Sequence, residues 1–517
     1  MSKNKNISKS HRPENKMTRR KAAGLFGFGL LAAQFPFSCV PKPKPLTKEE
    51  KSILHFRTLA EVGELIKSKR ITSEELTQLM LERIRLVDGK LNSYITVMEE
   101  QAMSQARQLD KELKEGKYRG PLHGIPIGIK DLLFTTDAPT TMGHSFRSKF
   151  IAPYDASVVT KLKGSGAVIL GKLNLTEGAM CGYSTPYKIP TNPWGEDLWT
   201  GVSSSGSGVA TAAGLCFASL GSDTGGSIRF PSSANGIVGL KTTYGLVSKY
   251  GVMPLAYTFD SIGPMARSVE DAAIMLEAIA GYDANDATSI KSNPISILPT
   301  LKAGVKGMRI GVDWEYIKKD SDSKLFLAIE GAAKQFEQLG AMIVGFKMPE
   351  AADVWLPITS REAADANKET FPSRKEEYGN FFADFISLGI SISDEQYQKA
   401  LQLKEEFQKT FREALSTVDV LISPAGGMAK GMTEQGWRGH IGESNVAKFG
   451  SELDLHYCDA ANLAGIPSLT LPCGKAENGF PPPGFQLMGS AFSEAKLCQI
   501  GYAFEQTTEW HLQHPKV

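Results

Sequence analysis

This 517-residue chain has little cysteine, little histidine and almost no net charge. Its six cysteines (Cys39, Cys181, Cys216, Cys458, Cys473, Cys498) are scattered, with no C-x-x-C pair, which argues against a disulfide scaffold or a zinc site. Eight histidines include no H-E-x-x-H, so neither a metal nor a cofactor is expected. The formal charge of +2 conceals an imbalance: the first 38 residues hold eight Lys/Arg and one Glu, so the remainder is mildly acidic. Such a body lacks the basic footprint of a nucleic-acid-binding protein. No apolar run reaches the roughly 20 residues of a spanning helix, and no integral membrane span is expected.

The longest apolar run, Ala22 to Phe37, follows Thr18-Arg19-Arg20-Lys21. Paired arginines before a short apolar stretch resemble a twin-arginine export signal, so residues 1–40 are expected to be an address and the protein periplasmic or envelope-associated in a bacterium. Cys39 is a candidate lipid-attachment cysteine, although Pro36 stands where that motif usually has an aliphatic residue. Residues 41–57, with Pro41-Lys-Pro-Lys-Pro45, read as an extended linker.

From residue 58 to 517 one catalytic domain is expected. Helical spacing appears at Leu59, Val62, Leu65 and Ile66, again after the N-cap signal Thr72-Ser-Glu-Glu75, and from about Met98 to Leu113. Ile125, Ile127 and Ile129 alternate with Pro126 and Gly128 in a buried extended segment that ends in Lys130. A lysine there is out of place as a surface charge, and desolvation would lower its pKa toward that of a general base. Ala167 to Gly171 reads as a strand and Asn174 to Glu177 as a helix start. Val209 to Leu215 reads as a helix, Cys216 to Leu220 as a strand, and Ile228-Arg-Phe-Pro231 as a first helical turn. Further strands are expected at Ile237–Leu240, Met308–Val312, Ala341–Phe346, Val418–Ile422, Ser468–Leu471 and Gly484–Met488. Helices are expected over Ser323–Leu339, much of 351–417, and Glu494–Trp510. Alternation of this kind predicts an α/β fold with a large mixed β-sheet core covered by helices on both faces.

Two glycine- and serine-rich loops carry the chemistry. Thr200-Gly-Val-Ser-Ser-Ser-Gly-Ser-Gly208 and Asp223-Thr-Gly-Gly-Ser-Ile-Arg229 place Ser203 and Ser227 in turns whose backbone N–H groups can converge, and either serine is a candidate nucleophile. With Gly124-Ile-Pro-Ile-Gly-Ile-Lys-Asp131, Ile237-Val-Gly-Leu-Lys-Thr-Thr-Tyr-Gly245, Asp260-Ser-Ile-Gly-Pro-Met-Ala-Arg267 and Ala461-Asn-Leu-Ala-Gly-Ile-Pro467, these loops resemble, in order, the amidase signature family.

That resemblance implies an amidase that hydrolyses a carboxylic amide to acid plus ammonia or an amine through an acyl-enzyme. Ser227 would attack the carbonyl, Ser203 would relay the proton, and a neutral Lys130 would be the ultimate base, with Ser204 holding the lysine. The N–H groups of Thr224, Gly225, Gly226 and Ser227 would form the oxyanion hole. A cis peptide bond is implied between Val202 and Ser203, where valine replaces the family's common glycine. Asp223 and Arg229 are expected to be a structural ion pair. The partner is a small-molecule or peptide amide, and a homodimer is a further candidate. Phe381, Phe382, Phe385 and Trp355 are candidates for an apolar acyl pocket, whose walls are expected in 180–200 and 351–460. Two rival readings stand beside this one: the glutaminase-type component of a tRNA-dependent amidotransferase, and a non-catalytic binding protein on the same fold.

Overall fold

The computed structural model describes residues 44–184, 186–291, 295–351, 353–426, 456–477 and 479–517. The export segment with Arg19, Arg20 and Cys39 lies outside these residues. Part of the stretch expected as linker is instead folded. Thr47 caps a helix at Lys48–Ser52 in a reciprocal box with Glu50, and Leu46 and Leu54 are buried. The proline run misleads because the capping signal and the two leucines follow it at once.

Eleven strands form one mixed sheet: β1 (Tyr94–Val97), β2 (Pro126–Lys130), β3 (Val168–Leu173), β4 (Ala218–Asp223), β5 (Val238–Lys241), β6 (Ser261–Ala266), β7 (Arg309–Val312), β8 (Met342–Gly345), β9 (Val420–Pro424), β10 (Ser468–Pro472) and β11 (Gly484–Met488). Their order is β1-β3-β2-β4-β6-β5-β10-β11-β9-β7-β8, and helices cover both faces. The parallel trio β3, β2 and β4 matters most, because its strands all end at the same edge of the sheet. Ile129 pairs with Leu220, so Lys130 at the end of β2 arrives beside the last residues of β4. All five residues of β2 are buried, as expected for a strand covered on both faces.

The first long helix, Leu59–Lys67, is capped by Thr58 in a box with Glu61 and buries Leu59, Val62 and Ile66. Each such side chain is worth roughly 1.5–3 kcal/mol. Helices also form at Ser323–Gln338, Trp355–Asn367, Asn380–Ser391 and Asp394–Leu415, as the periodicity predicts.

Several expectations are corrected. Asn174 to Glu177 does not start a helix; only a 3-10 turn forms at Glu177–Ala179, where Gly178 takes φ 62° and Glu177 is tied to His144 and to the N–H of Gly379. The helix expected from Val209 starts at Ser205 and ends at Ala212. The strand expected at Cys216–Leu220 runs from Ala218 to Asp223, directly into the second serine loop. The last helix stops at Glu505, with a separate turn at Trp510–Leu512. Strands β1 and β6 have no counterpart among the expected elements. β6 carries Gly263 and Pro264 yet lies in the middle of the sheet, where local propensity argues against a strand.

Candidate active site

Lys130 is fully buried at the end of β2, and its Nζ lies 2.7 Å from Ser203 Oγ, 2.9 Å from Ser204 Oγ and 2.8 Å from Ser222 Oγ. Burial pushes its pKa down from 10.5 to about 7, against the upward pull of Asp260 and Asp223. The amine is therefore readily neutral near pH 7. Ser204 donates its own proton to the Ser222 carbonyl at 3.2 Å, so its oxygen accepts from the lysine. Ser222 is a site neighbour the sequence reading missed; its place follows from the β2–β4 register. The Val202–Ser203 peptide bond is cis.

Ser227 is buried except for a small exposed fraction of 8%. Its carbonyl accepts the Ser204 N–H at 3.2 Å, which ties the two serine loops together. Among the described residues no hydrogen bond links the Ser203 and Ser227 hydroxyls directly.

The loop between Asp223 and Ser227 is held from inside by the Asp223 carboxylate. Asp223 Oδ1 accepts the Gly226 N–H at 2.8 Å, and Oδ2 accepts the Ile228 N–H at 3.1 Å. The same carboxylate takes a two-pronged bond from Arg229, Nε and Nη2 both at 3.0 Å, with both residues fully buried. Burial would raise the pKa of Asp223, but the guanidinium more than offsets it and holds the carboxyl well below the usual range. Arg229 in turn donates to the Cys458 carbonyl and Gln486 Oε1, and Asn462 Nδ2 reaches Asp223 at 2.8 Å.

This brace takes one of the N–H groups expected in the oxyanion hole: Gly226 donates its N–H to Asp223. No acceptor among the described residues takes the N–H of Thr224, Gly225 or Ser227. Both glycines are nevertheless required by space: a Cβ on Gly225 would fall 2.7 Å from the Trp355 ring, and one on Gly226 (φ 117°) 2.2 Å from the Phe230 ring.

Thr224 is pinned twice. Its hydroxyl donates to Asp260 Oδ1 at 2.6 Å, a contact the register explains, since Asp223 pairs with Ser261. Its carbonyl accepts the Trp355 indole N–H at 2.9 Å. Trp355 thus touches the Asp223–Ser227 loop. Phe381, Phe382 and Phe385 are core: all are buried, and Phe382 joins an aromatic cluster with Tyr378 and His144. Much of the expected pocket wall, 427–455, lies outside the described residues.

Cys181, Cys216, Cys458, Cys473 and Cys498 are free and buried. No group of three metal-ligating side chains occurs among the described residues, and no helix there is long and apolar enough to cross a membrane.

The family model described as Amidase matches residues 75–498. A protein of Mycobacterium tuberculosis (strain ATCC 25618 / H37Rv), assigned provisionally as the amidase AmiD, is 40% identical over 463 residues, covering 89% of this chain and 96% of that one. The glutamyl-tRNA(Gln) amidotransferase protein of Nitrosococcus oceani, one component of that enzyme, is 36% identical over 491 residues, 89% of this chain and 99% of the relative. The structure of native peptide amidase from Stenotrophomonas maltophilia superposes with a TM-score of 0.74 at 30% identity, covering 87% of this chain and 97% of that one.

Proposed function

The chain belongs to the amidase signature family and is an amide-hydrolysing enzyme, and on that basis we propose that Lys130, Ser203 and Ser227 carry the reaction. The observation that carries this reading is the buried Lys130 amine ringed by three serine hydroxyls beside a loop with unclaimed N–H groups. A neutral amine has two N–H bonds and one lone pair. Ser204 and Ser222 accept the two N–H bonds, which leaves the lone pair for the Ser203 proton.

Ser227 Oγ attacks the amide carbon as its proton passes to Ser203 and that of Ser203 passes to Lys130. The carbonyl becomes an oxyanion that the N–H groups of Gly225, Thr224 and Ser227 stabilise. Collapse breaks the C–N bond, and the proton returns through Ser203 to the leaving amine or ammonia. Water then attacks the acyl-enzyme by the same route and releases the acid.

Peptide amides are the first substrate class to test, on the likeness to the Stenotrophomonas enzyme. Export and a periplasmic or envelope location are part of the proposal, supported by Arg19-Arg20 before the apolar run, with Cys39 as the place a lipid would attach. A second reading, the glutaminase-type component of a tRNA-dependent amidotransferase, is favoured by the likeness to the Nitrosococcus protein.

The test is ammonia release from a panel of peptide, aliphatic, aromatic and fatty acyl amides, with Ser227→Ala as control. Turnover by the isolated chain, lowered at least about a thousandfold in Ser227→Ala, is expected. Co-purification from cytosol with a tRNA-binding protein, and turnover only in that complex, would favour the second reading.

A further inference from the structure

The helical region 351–417 has no role in the mechanism above, yet its first helix delivers one side chain to the oxyanion loop. Trp355 opens the helix Trp355–Asn367 and donates its indole N–H to the Thr224 carbonyl at 2.9 Å. The ring lies against the Cα of Gly225, close enough that a Cβ there would collide with it.

A trans peptide holds its C=O and N–H antiparallel in one plane. The Thr224 carbonyl belongs to the same peptide unit as the Gly225 N–H. Drawing the carbonyl toward the indole therefore turns the Gly225 N–H to the opposite side of the loop. Asp223 fixes the next peptide by taking the Gly226 N–H, and Asp260 fixes the Thr224 side chain. Neither bond sets the rotation of the Thr224–Gly225 peptide. Trp355 supplies that restraint.

The helix is itself anchored to the segment that holds Thr224. Glu362, on the same helix and fully buried, accepts the Thr258 N–H at 3.0 Å and the Tyr397 hydroxyl at 2.7 Å. Thr258 is two residues before Asp260, so one short segment carries both the Asp260 tether and the seat of the Trp355 helix. The half-buried Trp355 also lines a cavity of about 710 Å³. The ring is not wedged on all sides, and a smaller ring can be accommodated there.

We propose that Trp355 is a positioning residue for the oxyanion hole: its indole N–H holds the Thr224 carbonyl so that the Gly225 N–H is aimed at the developing oxyanion. The proposal rests on the amidase mechanism given above. It assigns to the 351–417 region a part in stabilising the transition state through the Thr224–Gly225 peptide.

The experiment uses the full chain and any amide the wild type turns over, together with the aldehyde of the same acyl group, whose adduct with Ser227 carries the tetrahedral oxygen. Trp355→Phe keeps an aromatic ring and removes the N–H. It is expected to lower kcat about ten- to a hundredfold, with KM changed less than about threefold, because only the transition state uses the aimed donor. Aldehyde affinity should fall in parallel with kcat, while affinity for the product acid stays the same. An unchanged kcat, or a raised KM at constant kcat, would overturn the assignment and make Trp355 a substrate-pocket wall. Should Trp355→Phe not fold, Trp355→Leu, which also lacks a donor, carries the same expectation. Failure of both to fold, under conditions where Ser227→Ala folds, would also overturn it, since a ring held only for packing behaves that way. Wild-type turnover and its loss in Ser227→Ala test the underlying mechanism separately.

Discussion

The proposed mechanism concentrates its chemistry in one residue, Lys130. Its ammonium form is disfavoured by burial, so the working base is present above its pKa of about 7 and is protonated below it. For a neutral amide substrate, kcat/KM should rise with pH through a single step near 7 and level off above it. A pH profile of the purified enzyme checks this, and a flat response between about pH 5 and 9 would remove Lys130 from the mechanism. The lysine was legible in the sequence, because an apolar, glycine-broken run that ends in Lys is unusual. Ser222 was not, although it lies as near to Nζ as Ser203 does, because its proximity comes from pairing between strands about 90 residues apart.

In the proposed mechanism the Asp223–Ser227 loop is the element on which rate depends. Its glycines could be read from the sequence, but not which N–H groups remain free, since that depends on where the Asp223 carboxylate folds back. Gly226→Ala must relieve a 2.2 Å contact with Phe230 and a φ of 117°, and it will displace the loop. A fall in kcat of about a hundredfold or more is expected, equivalent to roughly 2.7 kcal/mol of lost transition-state stabilisation. Steady-state kinetics at saturating substrate, on protein with an unchanged circular dichroism spectrum, measures it. The neighbouring strand β6 shows the same limit of local reading. Pro264 argues against a central strand, yet it pairs with Leu220 of β4, and Gly263 beside it pairs with Gly221 and leaves room for the Leu240 carbonyl of β5.

At the scale of the whole molecule, the described residues from 44 to 517 form a single compact unit. Its core begins at Leu46, so deletion of residues 1–43 should leave a protein with kcat within about twofold of the full chain. Measuring turnover and thermal unfolding of both proteins decides the point. Replacing Arg19 and Arg20 by lysine should leave the precursor in the cytoplasm without changing its specific activity, as cell fractionation would show. Protein exported equally well without the arginine pair would remove the twin-arginine reading.

By itself the sequence determined the α/β class and most helices of the body, which are local signals, and its ordered motifs carried the family resemblance that implies Lys130, Ser203 and Ser227 act together. Only the tertiary structure decided how those residues meet. The parallel ends of β2 and β4 put Lys130 among three hydroxyls, the Asp223 carboxylate took the Gly226 N–H, and Trp355 arrived from a helix about 130 residues downstream. Such contacts are set by register, burial and the satisfaction of buried polar groups across distant segments, and no local pattern encodes them.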